Sequence, residues 1–420
     1  MPLRTAAPTI RTAAILAAIA LATLLVPVWL AVAAVIALVA AAGVDAWTVR
    51  EPPAVERALS PVLSRGVATS IDVRAAVRDH RRVVLRQPAI PAFELDRETG
   101  VEEFAGSLVP RRRGRHTLPG VASASVGPLG LARVNHPPGD ALAIRVYPDL
   151  LKAHALIVRL RRELAGHPGR LARGPLGLGT EFESIREYTP DDDIRQLNWR
   201  ATARMGRPMS NQYRVERDRD LVCLLDTGRL MTAPIGSRTM LDASLDAVTM
   251  LALAADELGD RCGAIAFDET IRRVVAPAHL SGRRVIESLF DVEAAPVDSD
   301  FERAFQRVGR SRRALVAVFT DLVDEAAARS LIEAIPMLAR RHVVLVVTAT
   351  DPALERAALA PPSTTLGAAE GLVALDVLEA RAGAAATLTR AGAVVIEAGA
   401  GELADRCLRA YLEAKARARL

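Results

Sequence analysis

The sequence predicts a multidomain chain: an N-terminal transmembrane helical hairpin (residues 1–50), a small all-β, sandwich-like module (51–150), a connector with a charged signature (151–208) and a C-terminal doubly wound α/β domain (209–420). Three observations carry this division. Residues 12–44 contain no charged side chain. Residues 51–150 hold short alternating runs broken by Pro, Gly and Asp. Beyond Met209, unbroken Val and Leu runs alternate with segments of helical apolar spacing. At 420 residues the chain has the length for two or three domains.

One membrane helix takes about 20 apolar residues, so the stretch 12–44 is long for one span and short for two. Pro27, followed by Val28 and Trp29, supplies a tight reversal with an interfacial aromatic. A hairpin of two short helices is expected, with a single, strongly tilted span as the alternative. Arg4 and Arg11 precede the stretch and Arg50 follows it, which places both ends in the cytoplasm. A signal peptide is the weaker alternative, because the apolar run far exceeds an h-region of about 7–15 residues. The expectation is a multi-pass cell-membrane protein, in contact with lipid, whose soluble domains face the cytoplasm.

In the next segment, runs such as ATSIDVRAAV (68–77) alternate with turn residues and show no helical stripe, so strands packed as a small sandwich are expected. Arg111, Arg112, Arg113 and Arg115 read as the charged guard of an edge strand, or as a contact for lipid headgroups. No aromatic stacking partners accompany them, so nucleic acid is not an expected partner. The whole-chain balance agrees: 54 basic against 49 acidic residues leave a formal charge of only +5. Cys223, Cys262 and Cys407 show no ligand spacing, and the first two lie in apolar runs, as small core residues do. Residues 153–164 have an amphipathic helical pattern. The glycines that follow at Gly174, Gly177 and Gly179 lack the Lys-Ser/Thr of a phosphate-binding loop.

In the last domain, strands are expected at 221–225, 263–267, 314–319, 343–348 and 393–397, with a hairpin at 268–275. Helices are expected at 241–258, 281–290, 301–308, 324–338 and 402–415. Apolar strands alternating with helices give a parallel sheet buried on both faces. Ligands of such sheets gather at the carboxyl ends of the strands, where Asp226 and Asp321 should converge. Hard oxygen ligands suit Mg²⁺, and the alternative is that these carboxylates cap helices or pair with arginines.

The densest chemistry lies at 179–204, GTEFESIREYTPDDDIRQLNWRATAR. Asp191, Asp192 and Asp193 sit between Tyr188 and Trp199, with Arg186, Glu187, Arg195, Arg200 and Arg204 around them. Two roles suit this pattern. As a clasp, the aspartates would satisfy Arg186, Arg195 and Arg204 and lock the β-module against the α/β domain. As a docking surface, Tyr188 and Trp199 would anchor a partner protein. General acid–base catalysis lacks a nucleophile, an oxyanion site and a nearby histidine, so no catalytic residue is assigned.

This signature, followed by a strand ending in aspartate (LVCLLDTGRLM, 221–231), resembles the bacterial family called domain of unknown function 58. The resemblance implies a C-terminal domain of the von Willebrand factor type A kind. It also implies association with an AAA+ ATPase of the MoxR type in the maturation or remodelling of protein complexes. Type A domains hold a metal-ion-dependent adhesion site of the form DxSxS, a later Thr and a later Asp. Here Asp226 matches the first Asp, Ser299 falls where the Thr is expected and Asp321 matches the last, while Gly228 and Leu230 replace the two serines. The site is therefore degenerate, and Mg²⁺ tolerates few departures from octahedral geometry. The resulting expectation is a membrane-anchored adaptor, not an enzyme, with no small-molecule substrate. The alternative is a Mg²⁺-dependent hydrolase using Asp226 and Asp321. Transport is excluded by the shortage of spans and of intramembrane charge.

Overall fold

The computed structural model describes residues 5–76, 82–166, 181–189, 192, 194–214, 219–236, 238–308, 312–323, 328–361 and 364–416. The chain divides into two compact units, Met1–Tyr147 and Pro148–Leu420.

The first unit begins with a strand, Thr5–Pro8, that pairs antiparallel with Ala132–Asn135. Thr9 then caps helix α1 (Ile10–Ala22), its side chain accepting from the backbone N–H of Thr12. The helix ends before Pro27, which lacks the backbone donor a continuous helix needs and instead opens α2 (Val28–Thr48). Helix α2 has 21 residues and is long and apolar enough to cross a membrane. Trp29 and Trp47 mark its two ends. At 1.5 Å per residue they stand about 27 Å apart, close to a hydrocarbon core of about 30 Å. Helix α1, with 13 residues, reaches only about 20 Å. The expected pair of short helices is therefore corrected: the break falls at Pro27, but the second helix is of full spanning length and the first is not.

After α2 the chain enters strand Ala54–Ala58, which closes the far end of the same nine-stranded sheet that Thr5–Pro8 opens. A three-stranded sheet (Val62–Ser64, Leu142–Tyr147, Gly114–Leu118) completes the unit. Period-2 side chains from the two sheets meet in one core. Ile71, Leu85, Phe104 and Leu108 come from the larger sheet, and Leu118, Ile144 and Val146 from the smaller.

One carboxylate ties α2 to this unit. Asp45, in the last turn of the helix and 1% exposed, accepts backbone N–H bonds from Leu129 (2.9 Å), Leu131 (2.8 Å) and Ala132 (2.9 Å). Gly127 makes room for it, since a Cβ there would lie 2.2 Å from Oδ1. At the start of α1, Thr9 Oγ1 donates to the carbonyl of Gly130 (2.5 Å) and Thr12 Oγ1 to that of Leu131. The loop around Gly130 thus grips both feet of the apolar segment. Asp45→Asn retains one acceptor oxygen but loses the charge, and should lower the stability of this unit by about 1–2 kcal/mol. Thermal unfolding of the detergent-solubilised chain, with hydrogen exchange at residues 127–132 as the local readout, measures it.

The second unit opens with α3 (Leu150–Gly166). A two-stranded antiparallel sheet follows, β1 (Glu181–Glu187) with β2 (Met209–Arg214), and α4 (Trp199–Met205) lies in the connection between them. The expectation that Met209 begins the α/β domain is thereby refined: β2 belongs to the signature's own hairpin, and the large sheet starts at Asp220. Its strands are β3 (Asp220–Asp226), β4 (Arg261–Phe267), β5 (Ile271–His279), β6 (Ala314–Phe319), β7 (Val343–Thr350) and β8 (Val394–Gly399). They lie in the order β5-β4-β3-β6-β7-β8. All neighbours are parallel except the β4–β5 hairpin.

Both faces of the sheet are covered. On one face α5 (Met240–Leu258), α6 (Gly282–Leu289) and α11 (Leu403–Ala416) pack against Leu221, Cys223, Ala264 and Leu345. On the other, α7 (Phe301–Val308), α8 (Arg329–Ala339) and α10 (Thr365–Arg390) pack against Val222, Leu224, Val316 and Val318. Helix α9 (Pro352–Leu359) precedes α10. Strand residues alternate between the two cores, which is why β3 and β6 read as continuous apolar runs. Helix α5 is fixed by a capping box between Thr239 and Asp242. The three cysteines are free and fully buried, as small core residues.

Candidate functional site

The chain leaves β3 for α5 on one face and leaves β6 for α8 on the other, so the topological switch point lies between these two strands. Asp226 is the last residue of β3, and Thr320 and Asp321 follow β6. The predicted carboxylates therefore do stand at adjacent strand ends. They are engaged with different partners. Asp226 Oδ1 accepts from Ser299 Oγ (2.5 Å) and the backbone N–H of Gly228 (2.7 Å), and Oδ2 accepts from Thr320 Oγ1 (2.6 Å). Asp321 Oδ1 instead accepts from Arg381 Nη2 (2.7 Å) and Thr348 Oγ1 (3.2 Å). A third carboxylate, Asp268 at the end of β4, is held by Arg272 and by the N–H of Thr270.

Burial pushes the Asp226 carboxyl above its ordinary pKa, against the pull of the Ser299, Thr320 and Gly228 donors, and the Asp268 charge adds to the rise. Burial also raises Asp321, with Arg381 opposing. A cleft of about 450 Å³ opens beside Asp226 and Ser299, lined also by Arg229, Asp298 and Arg329. Arg229 does not enter the strand-end network. It pairs with Asp298 at 2.5 Å on the surface.

These residues do not fit a Mg²⁺ ion. A serine at position 228 has no room, because a Cβ there would lie 2.2 Å from Ser299 Oγ. Asp321 already holds the Arg381 guanidinium, a cation within 2.7 Å. Both oxygens of Asp226 are occupied by donors. Among the described residues no group of three His, Cys, Asp or Glu side chains is arranged to hold a metal. The arginine-paired alternative for Asp321 is the arrangement observed.

The raised Asp226 pKa has a sign. A carboxyl whose folded pKa lies above its unfolded value of about 3.9 contributes full stability below that value and loses it as pH climbs through the folded pKa. Asp226→Asn keeps the shape and removes the buried charge, so at pH 7 the variant should be within about 1 kcal/mol of the parent or more stable. Its stability should also vary less between pH 4 and 7, as thermal unfolding across that range would measure.

The signature is built from residues with separable tasks. Asp192 is buried, and it joins Arg186 Nη2 (2.5 Å), Thr189 N (2.9 Å) and Thr189 Oγ1 (3.1 Å), while Tyr188 OH donates to its carbonyl (3.2 Å). Removal from water raises its pKa, but the Thr189 and Arg186 donors outweigh that and hold it below the usual carboxylate range. Glu187 pairs with Arg207 at 3.2 Å. Asn198 caps α4 by accepting from Ala201 N (2.9 Å), and Nδ2 donates to Asn211 of β2 (2.8 Å). Thr202 Oγ1 accepts from Met209 N (3.0 Å). Gly206 ends the helix at φ 66°, a left-handed position that suits glycine.

Trp199 has no such task. The first residue of α4, it is 74% exposed, and Ile194 beside the helix is exposed to the same extent. Met205 is 56% exposed, and Arg200 and Arg204 face solvent on the same helix. Of the expected clasp, the described residues show the pair of Asp192 with Arg186, which ties Arg186 and Thr189 to Asp192 within the signature itself; Arg204 takes no part in that pair. Asp191 and Asp193, and the side chain of Arg195, lie outside the described residues. Sequence reasoning missed Asp45, Thr320 and Arg381. Thr320 was findable as the hydroxyl preceding Asp321 at a strand end, whereas Arg381 lies 60 positions from its partner.

Residues 184–360 match the family described as protein of unknown function DUF58. The matched stretch covers most of the signature and the large sheet as far as β7, including Asp226, Ser299 and Asp321. The chain is also similar to an uncharacterized protein of Mycobacterium bovis and to two of Mycobacterium tuberculosis. Each is 29% identical over 234 residues, which span 52% of this chain and 71% of the relative.

Proposed function

We propose that this protein is a membrane-anchored adaptor that docks a partner protein on the exposed face of α4, with Trp199 as the anchor. The observation that carries the reading is the division of labour in the signature. Arg186, Tyr188, Asp192, Asn198, Thr202 and Gly206 each close the local structure, which leaves a tryptophan presented to solvent on the first turn of α4. Large aromatics next to arginine are what protein interfaces use as anchors, and the fold gains nothing from exposing one here.

The apolar N-terminal segment would be the anchor, with α2 as the span and α1 as a shorter partner in a two-helix hairpin. The hairpin reading draws support from Thr5–Pro8 and Ala54–Ala58, which flank the segment and join one sheet. Arg11 and Arg50 at its feet favour a cytoplasmic orientation of the soluble units by the positive-inside rule. For the α/β domain we adopt the von Willebrand type A reading, and for the partner the MoxR-type AAA+ ATPase that the family resemblance implies. No phosphate-binding loop occurs in this sequence, so the energy for remodelling would come from that partner. The hydrolase alternative draws no support from the strand ends, where Arg381 occupies Asp321 and Ser299 fills the space a metal-ligating serine would need.

The test is co-purification of the tagged full-length chain from membranes in mild detergent. The parent should bring down an ATPase that Trp199→Ala loses while its melting temperature is unchanged. Equal recovery with both chains would count against the reading.

A further inference from the structure

The large sheet ends at β8, and among the described residues no strand pairs with its outer side. An unpaired edge presents a row of backbone donors and acceptors, and proteins that do not use such an edge blunt or cover it. Here it borders a cleft of about 940 Å³ between α10 and α11. The α10 wall carries Ala385, Ala386 and Thr389, small side chains that let another main chain come close. The α11 wall is charged, with Asp405, Arg406, Arg409 and Glu413, and Arg409 is tied to Asp405 at 2.8 Å.

Glu397 is different. It is the one charged residue of β8, VVIEAG, and among the described residues its carboxylate makes no hydrogen bond or ion pair. It lines the cleft. Burial pushes its pKa up, and only the charge of Arg381 pulls the other way. On a paired strand, a residue directly opposite a carboxylate is favoured when basic and disfavoured when acidic.

We propose that β8 accepts an extended segment of a partner protein as a seventh strand of the six-stranded sheet, with a Lys or Arg of that segment seated beside Glu397. Main-chain bonds to the open edge supply the affinity and the Glu397 pair supplies the selection. A second copy of this chain is the poorer occupant, because two β8 strands pairing with each other would bring their Glu397 carboxylates onto one interface. The cleft shares no residue with the Trp199 surface, so the two sites stand or fall separately.

The full-length chain in detergent can be titrated with short fluorescein-labelled peptides of alternating valine and threonine, with Lys or Glu at the centre, followed by anisotropy. The Lys peptide should bind about fivefold to tenfold more tightly than the Glu peptide. Glu397→Lys should reverse that order and Glu397→Gln should abolish the preference, both with unchanged circular dichroism. N-methylation of alternate residues of the Lys peptide should remove binding. Absence of binding by either peptide, or binding indifferent to N-methylation or to Glu397, overturns the proposal. So does a dimer in sedimentation that the Lys peptide does not dissociate, which would assign the edge to a second copy.

Discussion

Arg381→Ala should destabilise the second unit by about 3–5 kcal/mol, the usual result of removing one partner of a buried ion pair. Arg381 is 7% exposed and its Nη2 reaches Asp321 Oδ1 (2.7 Å), Thr348 Oγ1 (3.2 Å) and the carbonyl of Ala349 (3.0 Å). Without it, Asp321 retains the Thr348 hydroxyl and the Leu322 backbone N–H but loses the opposite charge that Arg381 supplies, and it sits where burial already raises its pKa. The penalty is a charge penalty, so its pH dependence is fixed in sign. Removing Arg381 raises the folded pKa of Asp321 further above the unfolded value of about 3.9. The loss should be full at pH 7 and should shrink as pH falls through the folded pKa, reaching its minimum below the unfolded value of about 3.9, where the carboxyl is protonated in both states. Arg381→Met combined with Asp321→Leu removes both charges and should recover most of the loss, to within about 2 kcal/mol of the parent. Hydrogen exchange in β6 and β7 reads the unit directly, since the chain has more than one cooperative unit and a single melting curve would mix them.

The second large effect separates the two roles of the signature. Asp192→Ala should destabilise the segment 181–214 by about 3 kcal/mol, because it strips donors on Arg186 and Thr189 of their charged acceptor. Asp192 lies below its ordinary pKa, so its contribution is present above about pH 4 and fades as pH falls through the folded value. The variant should therefore be most damaging near neutrality. Trp199→Ala should change stability by no more than about 0.5 kcal/mol, as exposed substitutions do, and should weaken partner binding by about 2 kcal/mol or more. Exchange protection of β1 and β2 measures the first, and titration of the co-purified partner measures the second. If Trp199→Ala melted the segment, Trp199 would be a packing residue, contrary to its exposure.

Much of the second unit was legible because its strands carry their own signal. The runs 221–225, 314–319 and 343–348 are apolar on both faces and lie between helices, which allows only a buried parallel sheet. Helix α10 was not legible. It buries Ala374, Arg381, Ala384 and Leu388, so one contact on its inward face is a guanidinium, while Leu372 and Val373 point outward; no apolar stripe results. Asp45 was illegible for a related reason. Its partners are backbone N–H groups 84–87 positions away, and a backbone donor leaves no mark in sequence. For the signature, the charge density pointed to ion pairing, and the pair observed is the local one between Asp192 and Arg186. Its composition could not show that one aspartate closes the turn while the tryptophan stays in solvent, because Asn198, Thr202 and Gly206 decide that by fixing the direction of α4.

The central claim is that Trp199 faces a partner protein, and the most direct measurement is crosslinking from that position in cells. A photoreactive amino acid placed at 199 of the full-length chain should yield, on irradiation, one dominant crosslinked protein identifiable by mass spectrometry as an AAA+ ATPase, and the same residue at solvent-exposed Arg283 should not. Crosslinks confined to lipid, or to residues of this same chain, would contradict the account.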